Sequence, residues 1–253
     1  MDGWQPVEEL IRWGFGHGPV VMANEAHNGW ARCIRTREVG VRMIRAAHEA
    51  GVRRLAMEAL PWLARETPGP ITSLPDPELG YVGQPEMRTL MTTAIDLGWT
   101  LWAYEAKPEP RPDQEYRLSM EFTNWREREQ ATNLARVVDD APGEPLLVWC
   151  GNGHASKGGD GEWVPMGWNF REISGVDPFV IDQTVTVSFA GRDQPWVPEL
   201  VAALAGPLAA WDGAAAILAG QAPPPLDGWA DVDALVVSDR NELTADERWP
   251  DES

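Results

Sequence analysis

The sequence is poor in cysteine, in basic residues and in long apolar runs. It has 2 cysteines, Cys33 and Cys150, and 21 Lys and Arg residues against 39 Asp and Glu, a formal net charge of −18. The acidic balance argues against nucleic acid and acidic membrane as partners, because both are polyanions. The N-terminus carries Asp2, Glu8 and Glu9 without an apolar core, and no run reaches the length of a membrane span. We therefore expect a cytoplasmic protein with reduced thiols.

The sequence also lacks two compact catalytic signatures. No Gly-x-Ser-x-Gly motif is present, which argues against a serine nucleophile. No His-Glu-x-x-His motif marks a zinc site. Cys150 stands in an apolar run, where a cysteine is more often a small hydrophobic residue than a nucleophile. From the sequence alone, both interpretations of Cys150 stay open.

Four short apolar runs are each followed by titratable side chains. The runs cover residues 19–23, 55–57, 101–104 and 146–150, and the side chains after them are Glu25 and His27, Glu58, Glu105, and His154. Short apolar runs between turn residues predict buried strands, and side chains past the carboxyl ends of parallel strands meet in one crevice. We therefore predict that these five side chains line one pocket. Taken singly, Glu25 and His27 are also typical of ordinary loop residues, Glu58 of a solvated strand end, and Glu105 of a carboxylate that pairs with Lys107 or an arginine.

The segments between these runs have helical periodicity. Helices are predicted over residues 34–50, 86–97 and 117–138. Gly51 and Gly98 follow the first two, where a helix ends on a left-handed residue. Strands alternating with helices predict an α/β fold with a mainly parallel central sheet flanked by helices.

The length of 253 residues fits one domain. We predict a single α/β catalytic domain over residues 1–240, with a strand near 232–237, and an acidic flexible tail over 241–253. Two Pro-rich insertions, 61–85 and 107–112, leave the domain just after a proposed site carboxylate. Loops of this length are either lids and binding loops or plain surface excursions.

The third predicted helix carries a polar face. Arg126, Gln130 and Asn133 are four and three residues apart, so they share one side of the helix. A fixed cation beside two amides suits a polar ligand or developing negative charge, whereas the alternative is a solvated charged face. We expect the Arg126 guanidinium to reach the carboxylates and to hold at least one of them ionised.

Tryptophan is abundant, with 14 residues. Four of them lie in loop-like segments beside the proposed pocket: Trp30, Trp62, Trp163 and Trp168. An aromatic wall for an organic ligand is the functional interpretation of this placement.

Taken in order, these motifs resemble a known family. The matching segments are Asn24-Glu25-Ala26-His27, Met57-Glu58, Arg126-Glu127 with Gln130-Ala131 and Asn133, Gly151-Asn152-Gly153-His154, and Met166-Gly167 with Phe170-Arg171-Glu172. Over residues 18–237 the series is similar to the erythromycin esterase family, which forms a wider group with the ChaN-like and TIKI-type proteins. Asn24 stands where Gly is common in that family. Gly151 replaces the first His of the family's His-Asn-x-His motif and matches the Gly-x-x-His of the TIKI type instead.

The resemblance implies a hydrolase that cleaves an ester, lactone or amide bond of a small organic or modified-peptide substrate, in antibiotic resistance or biosynthesis. An imidazole accepts a proton from water near neutral pH, so His27 is expected to be the base, held by Glu25 or Glu58. His154 or Arg126 would stabilise the oxyanion, and one of Glu58 and Glu105 would stay protonated as the acid. Substrate contacts are expected from Trp30, Trp62, Gln130, Asn133, Asn152 and Trp168. No cofactor is expected.

Two alternatives remain. Glu25, His27, Glu58 and His154 are a mixed oxygen and nitrogen set that suits Mn, Fe or Zn, and the TIKI-type resemblance implies a metal-dependent peptidase or amidase. The ChaN-like resemblance implies a non-catalytic protein that binds haem or another ligand. In each case the partner is a small molecule or peptide rather than nucleic acid or membrane, and the sequence leaves the oligomeric state open.

Overall fold

The structure of the chain, a computed structural model, describes residues 3–60, 69–78, 80–107, 114–159, 161–187, 196–224, 226 and 231–245. The strands are β1 (Gln5–Pro6), β2 (Val20–Glu25), β3 (His27–Asn28), β4 (Ala31–Arg32), β5 (Arg54–Met57), β6 (Pro70–Ile71), β7 (Thr100–Ala103), β8 (Leu146–Gly151), β9 (Phe179–Asp182), β10 (Ala214–Leu218) and β11 (Ala234–Ser238). The α-helices are α1 (Val7–His17), α2 (Ile34–Glu49), α3 (Pro85–Asp96), α4 (Gln114–Arg117), α5 (Met120–Asp140), α6 (Met166–Ser174), α7 (Trp196–Ala203) and α8 (Ala205–Ala210), and 3₁₀-helices cover Gly80–Gly83 and Ala219–Gln221.

Most of the described strands form one mixed sheet, in the order β1-β10-β11-β9-β2-β8-β5-β7-β6. The six strands from β11 to β7 are parallel, and β10 and β6 pair antiparallel at the two sides. Strands β3 and β4 form a separate hairpin directly after β2. The predicted α/β class with a mainly parallel central sheet is confirmed.

Helices cover both faces of this sheet. Val21 and Ala23 of β2 pack in the cluster that includes apolar residues of α1, α2 and α3. Val20 and Met22 pack on the opposite face, against α5 and α6. All six residues of β2 are buried, as expected for a parallel strand covered on both faces. In a strand that is covered on both faces, polar side chains are accommodated at the ends of the strand.

The predicted boundaries of the first two helices agree with α2 and α3 to within one residue. Gly51 and Gly98 follow with φ of +91° and +78°, the left-handed conformation that stops a helix. The third predicted helix, from about residue 117 to 138, corresponds to α5, which begins three residues later than predicted. Ser119 separates α4 from α5, because its Oγ accepts the Phe122 N–H at 3.1 Å and caps α5.

The C-terminal residues differ in part from the expected tail. The predicted last strand corresponds to β11. Thr244, inside the expected tail, pairs antiparallel with Arg32, with N···O distances of 3.0 and 2.8 Å. Residues 241–245 are therefore held against the domain, and residues 246–253 lie outside the described residues.

Much of the two Pro-rich insertions, residues 61–68, 79 and 108–112, lies outside the described residues, so the lid hypothesis stays a prediction. Among the described helices, none is long and apolar enough to cross a membrane.

Candidate functional site

The carboxyl ends of β2, β5, β7 and β8 meet at a cavity of about 410 Å³. Its titratable lining includes Glu25, His27, Glu58, Glu105, Arg126 and His154. The structure therefore brings together the five strand-end side chains and the helical arginine that the sequence singled out. The lining also includes the apolar residues Ala59, Leu60 and Met87 and the indole of Trp149.

Glu25, the last residue of β2, is a buried and fixed carboxylate. Arg37 of α2 donates to its two oxygens from Nε at 2.6 Å and Nη2 at 2.8 Å, and Trp149 Nε1 donates at 3.0 Å. Burial raises the pKa of Glu25, but the Arg37 charge opposes it and the pKa falls to about 2. Glu25 is thus ionised at neutral pH and cannot turn away from the site.

His27 is held from three sides. Its backbone N–H donates to Asn152 Oδ1 at 3.1 Å, and its ring centroid lies 5.5 Å from that of Tyr81. Nδ1 is buried, makes no hydrogen bond with a described residue, and lies 3.5 Å from Glu25 Oε1. With Nδ1 directed at this carboxylate, Nε2 is the nitrogen left for a molecule in the cavity.

Gly151 explains the close approach of this ring. A Cβ atom at residue 151 would lie 2.2 Å from His27 Cε1, closer than real side chains allow. The glycine that departs from the His-Asn-x-His pattern thus leaves the space that the His27 ring occupies.

Arg126 joins the two remaining strand-end carboxylates. Its Nη2 contacts both Glu58 Oε1 and Glu105 Oε2, and its Nε donates to Glu105 Oε1 at 3.0 Å. Glu58 Oε2 also accepts the Gly151 N–H at 2.7 Å. Burial raises the pKa of Glu58, but the charges of His154 and Arg126 lower it to about 2. The expected contact of Arg126 with an ionised carboxylate is therefore present.

The pKa of Glu105 shifts in the opposite direction. Burial and the neighbouring Glu58 charge raise its pKa despite the Arg126 guanidinium. Its oxygens nevertheless accept N–H donors from Arg126, from Gln130 at 3.0 Å and from the Ala106 backbone at 2.6 Å. The carboxyl group therefore serves as an acceptor in this arrangement.

His154 forms a second pair of imidazole and carboxylate. Its Nδ1 lies 2.5 Å from Glu127 Oε1, and its Nε2 lies 3.8 Å from Glu58 Oε1. Burial lowers the pKa of His154, but the Glu58 charge and the Glu127 hydrogen bond raise it to about 9. At neutral pH this ring is an imidazolium.

The strand-end pattern missed three residues of the site: Arg37, Tyr81 and Glu127. Arg37 and Glu127 lie inside helices, where a buried charge breaks the expected apolar face. A charged residue on the apolar face of a predicted helix is the sequence feature that indicates such positions, because buried charges are almost always paired. Tyr81 lies in the 3₁₀-helix beside His27 and leaves no such trace in the sequence.

Several residues expected to contact substrate do not line the cavity. Gln130 binds Glu105, Asn133 donates to the carbonyl oxygens of Tyr104 and Glu105, and Asn152 accepts from the His27 backbone. These three side chains hold residues of the site in place through hydrogen bonds. Trp30 packs on Tyr81 at 4.7 Å, and Trp168 lies in α6. Neither tryptophan is among the described lining residues, and Trp62 lies outside the described residues.

The carboxylates that could ligate a metal have other partners in the described residues. Among the described residues, no group of three or more His, Cys, Asp and Glu side chains is arranged to hold a metal. Glu25 and Glu58, the carboxylates of the alternative ligand set, are each paired with an arginine. Burial also raises the pKa of the Cys150 thiol well above its ordinary value, which argues against a thiolate nucleophile.

No protein-family model matches the chain, and no curated protein matches it. Among solved structures, the type III effector HopBA1 is similar with a TM-score of 0.51 and 14% identity, over 93% of this chain and 94% of HopBA1. A structure described as bacterial protein toxins has a TM-score of 0.49 and 15% identity, over 72% of this chain and 37% of its own. RRSP, a MARTX toxin effector domain from Vibrio vulnificus CMCP6, has a TM-score of 0.46 and 16% identity, over 72% of this chain and 36% of its own. The chain thus spans well under half of the length of the last two, and the likeness to HopBA1 supports the fold alone.

Proposed function

We propose that the protein is a hydrolase of the erythromycin esterase-like type, which cleaves an ester, lactone or amide bond of a small organic or modified-peptide substrate. The observation that carries the proposal is His27 in the cavity, with Nδ1 directed at the fixed Glu25 carboxylate. A carboxylate in this place favours the tautomer with hydrogen on Nδ1, which leaves a lone pair on Nε2. Such a nitrogen accepts a proton from an attacking water.

Arg126 supplies a positive charge that can stabilise the carbonyl oxygen of the substrate during the reaction. Attack by water places negative charge on the carbonyl oxygen, and a fixed cation in a water-poor site stabilises that charge. The Nη1 group of Arg126 makes no hydrogen bond with a described residue, since Nε and Nη2 carry its contacts to Glu58 and Glu105. Nη1 is therefore the donor we assign to the oxyanion.

The shape of the cavity supports a small organic substrate. A volume of about 410 Å³ lies within the range of small-molecule sites. A lining that combines ionisable and apolar groups suits a molecule with a reactive carbonyl on an apolar body.

The family assignment rests on the order of the motifs and on their convergence at one cavity. The pairing of Glu25 and Glu58 with arginines favours metal-free hydrolysis over the metal-dependent alternative, because a guanidinium repels a cation.

The proposal is tested with the purified chain after exhaustive chelation. The panel contains p-nitrophenyl esters, alkyl esters, a macrolide lactone and N-acyl peptide amides, with product formed in H₂¹⁸O followed by mass spectrometry. We expect one bond class to be hydrolysed with ¹⁸O in the new carboxylate. Turnover that disappears on chelation and returns with Mn or Zn would favour the metal-dependent peptidase, and Soret absorbance of the purified protein would favour haem binding.

A further inference from the structure

Glu127 is a fully buried carboxylate outside the strand-end set, with 1% of its surface exposed. Its Oε1 accepts from His154 Nδ1 at 2.5 Å and from Trp163 Nε1 at 3.1 Å, and its Oε2 accepts the Met166 N–H at 2.6 Å. Met166 is the first residue of α6, so the carboxylate also sits at the positive end of a helix. These contacts hold the Glu127 carboxyl group in one orientation.

This arrangement fixes His154 as a donor. A carboxylate accepts hydrogen bonds only, so Nδ1 carries a hydrogen directed at Glu127. The His154 carbonyl oxygen is held by the Gly167 N–H at 2.8 Å, which leaves the ring little freedom. The second nitrogen, Nε2, lies 3.8 Å from the ionised Glu58, and a proton on Nε2 is favoured by that charge.

The other candidate acids do not fit. Glu58 has a pKa of about 2 and is ionised. Glu105 has a raised pKa, but protonation would compete with the N–H groups of Arg126, Gln130 and Ala106 for its oxygens. The expectation that one of these two carboxyls is the acid is not supported for Glu58, and His154 is the better placed donor.

We infer that Glu127 is a positioning residue that makes His154 the general acid of this site, an inference that rests on the proposed hydrolysis. His27 takes a proton from water as the new carbon–oxygen bond forms. The bond to the leaving group then breaks with its electron pair on the leaving oxygen or nitrogen, which receives the proton from His154 Nε2. Solvent afterwards returns a proton to His154 and accepts one from His27. The charged groups that act on His154 are Glu58 at the end of β5, and Arg126 and Glu127 of α5.

The first test needs no substrate. The chain has 4 histidines, so the His154 resonances can be assigned by substitution. We expect a far-downfield Nδ1 proton in the wild type, its loss in Glu127→Gln, and its retention in Glu121→Gln, a matched control on the exposed first turn of α5. A wild-type His154 without this proton would overturn the inference even if Glu127→Gln failed to fold.

The second test separates an acid from a merely structural group. A p-nitrophenolate leaves without protonation, whereas an alkoxide or amide nitrogen does not. Glu127→Gln should therefore lower kcat for alkyl esters or amides by on the order of a hundredfold, with little change for p-nitrophenyl esters. An equal loss for both leaving groups would overturn the acid role while leaving the hydrolase proposal intact. Absence of any turnover in the wild type would instead count against the hydrolase itself.

Discussion

At the scale of single residues, the site is built from imidazoles that are each fixed by a carboxylate. Glu25 faces His27 and Glu127 faces His154, and both carboxylates are buried and hydrogen-bonded from behind. This arrangement separates the two rings chemically, because Glu58 adds a second negative charge beside His154. We therefore expect His27 to act as the base and His154 as the acid, although both are histidines.

Arg126 is the residue whose loss should affect the site most broadly. Arg126→Ala removes the proposed oxyanion donor and leaves Glu58 and Glu105 side by side, so their mutual repulsion raises both pKa values. We expect turnover to fall by roughly 10²–10³-fold and the melting temperature to fall as well. Steady-state kinetics and thermal melts measure both effects.

The control for this change is Arg128→Ala, an exposed arginine two residues further along the same helix. Wild-type turnover in Arg126→Ala would remove the guanidinium from the mechanism.

Several site residues could be predicted because their position follows from chain direction. Parallel strands expose their carboxyl ends at one edge, so residues after apolar runs converge there. The partners Arg37 and Glu127 could not be predicted in the same way. Their roles depend on which helix face is buried, and that depends on tertiary packing.

At the scale of elements, the turn after β8 connects the two halves of the site. Asn152 has a φ of 38°, and its N–H donates to the Glu25 carbonyl oxygen at 2.7 Å. Its side chain holds the His27 backbone. The turn therefore fixes the end of β2 against the end of β8, and Gly151 sets the space between them.

Gly151→Ala tests this geometry. The new Cβ would meet His27 Cε1 at 2.2 Å, so the ring must move by about 1 Å. A displacement of this size costs on the order of a hundredfold in rate. The matched control is Gly16→Ala in α1, where nothing lies within 4 Å of the added methyl group. The control should keep full turnover and gain about 0.5–1 kcal/mol in unfolding free energy. Unchanged turnover in Gly151→Ala would show that the position of His27 is not critical.

Elements with strong local signals could be predicted, and weaker ones could not. The helices that precede Gly51 and Gly98 have both apolar periodicity and a glycine stop signal. The break at Ser119 depends on a single capping hydroxyl, which the apolar pattern does not show. The sequence does not predict strands β9 and β10, because apolar runs of 3 and 5 residues are equally typical of parts of helices.

At the scale of the whole molecule, the shifted groups of the site make stability depend on pH. Glu25 and Glu58 have pKa values of about 2 against an ordinary 4.5, so their contribution is present above pH 4.5 and is lost as pH falls toward 2. His154 has a pKa of about 9 against 6.5, so its contribution is present below pH 6.5 and is lost as pH rises toward 9.

The alkaline side of this profile can be isolated. We expect the unfolding free energy of the wild type to fall between pH 6.5 and 9 relative to that of His154→Asn. The difference should be on the order of 3 kcal/mol, since each pKa unit corresponds to about 1.4 kcal/mol. Urea titrations at fixed pH values measure it. Parallel pH dependence in the two proteins would mean that His154 titrates near its ordinary value.

The central claim is hydrolysis with His27 as the base, and the turnover of His27→Asn on the ester, lactone and amide panel tests it most directly. His17→Asn is the matched control, because His17 lies at the exposed end of α1, away from the cavity. The account predicts that chelated wild type and His17→Asn hydrolyse the same bond class at equal rates. It predicts that His27→Asn keeps its fold by circular dichroism and loses on the order of a hundredfold or more in turnover. If His27→Asn turned over every member of the panel as fast as the wild type does, the account would be contradicted.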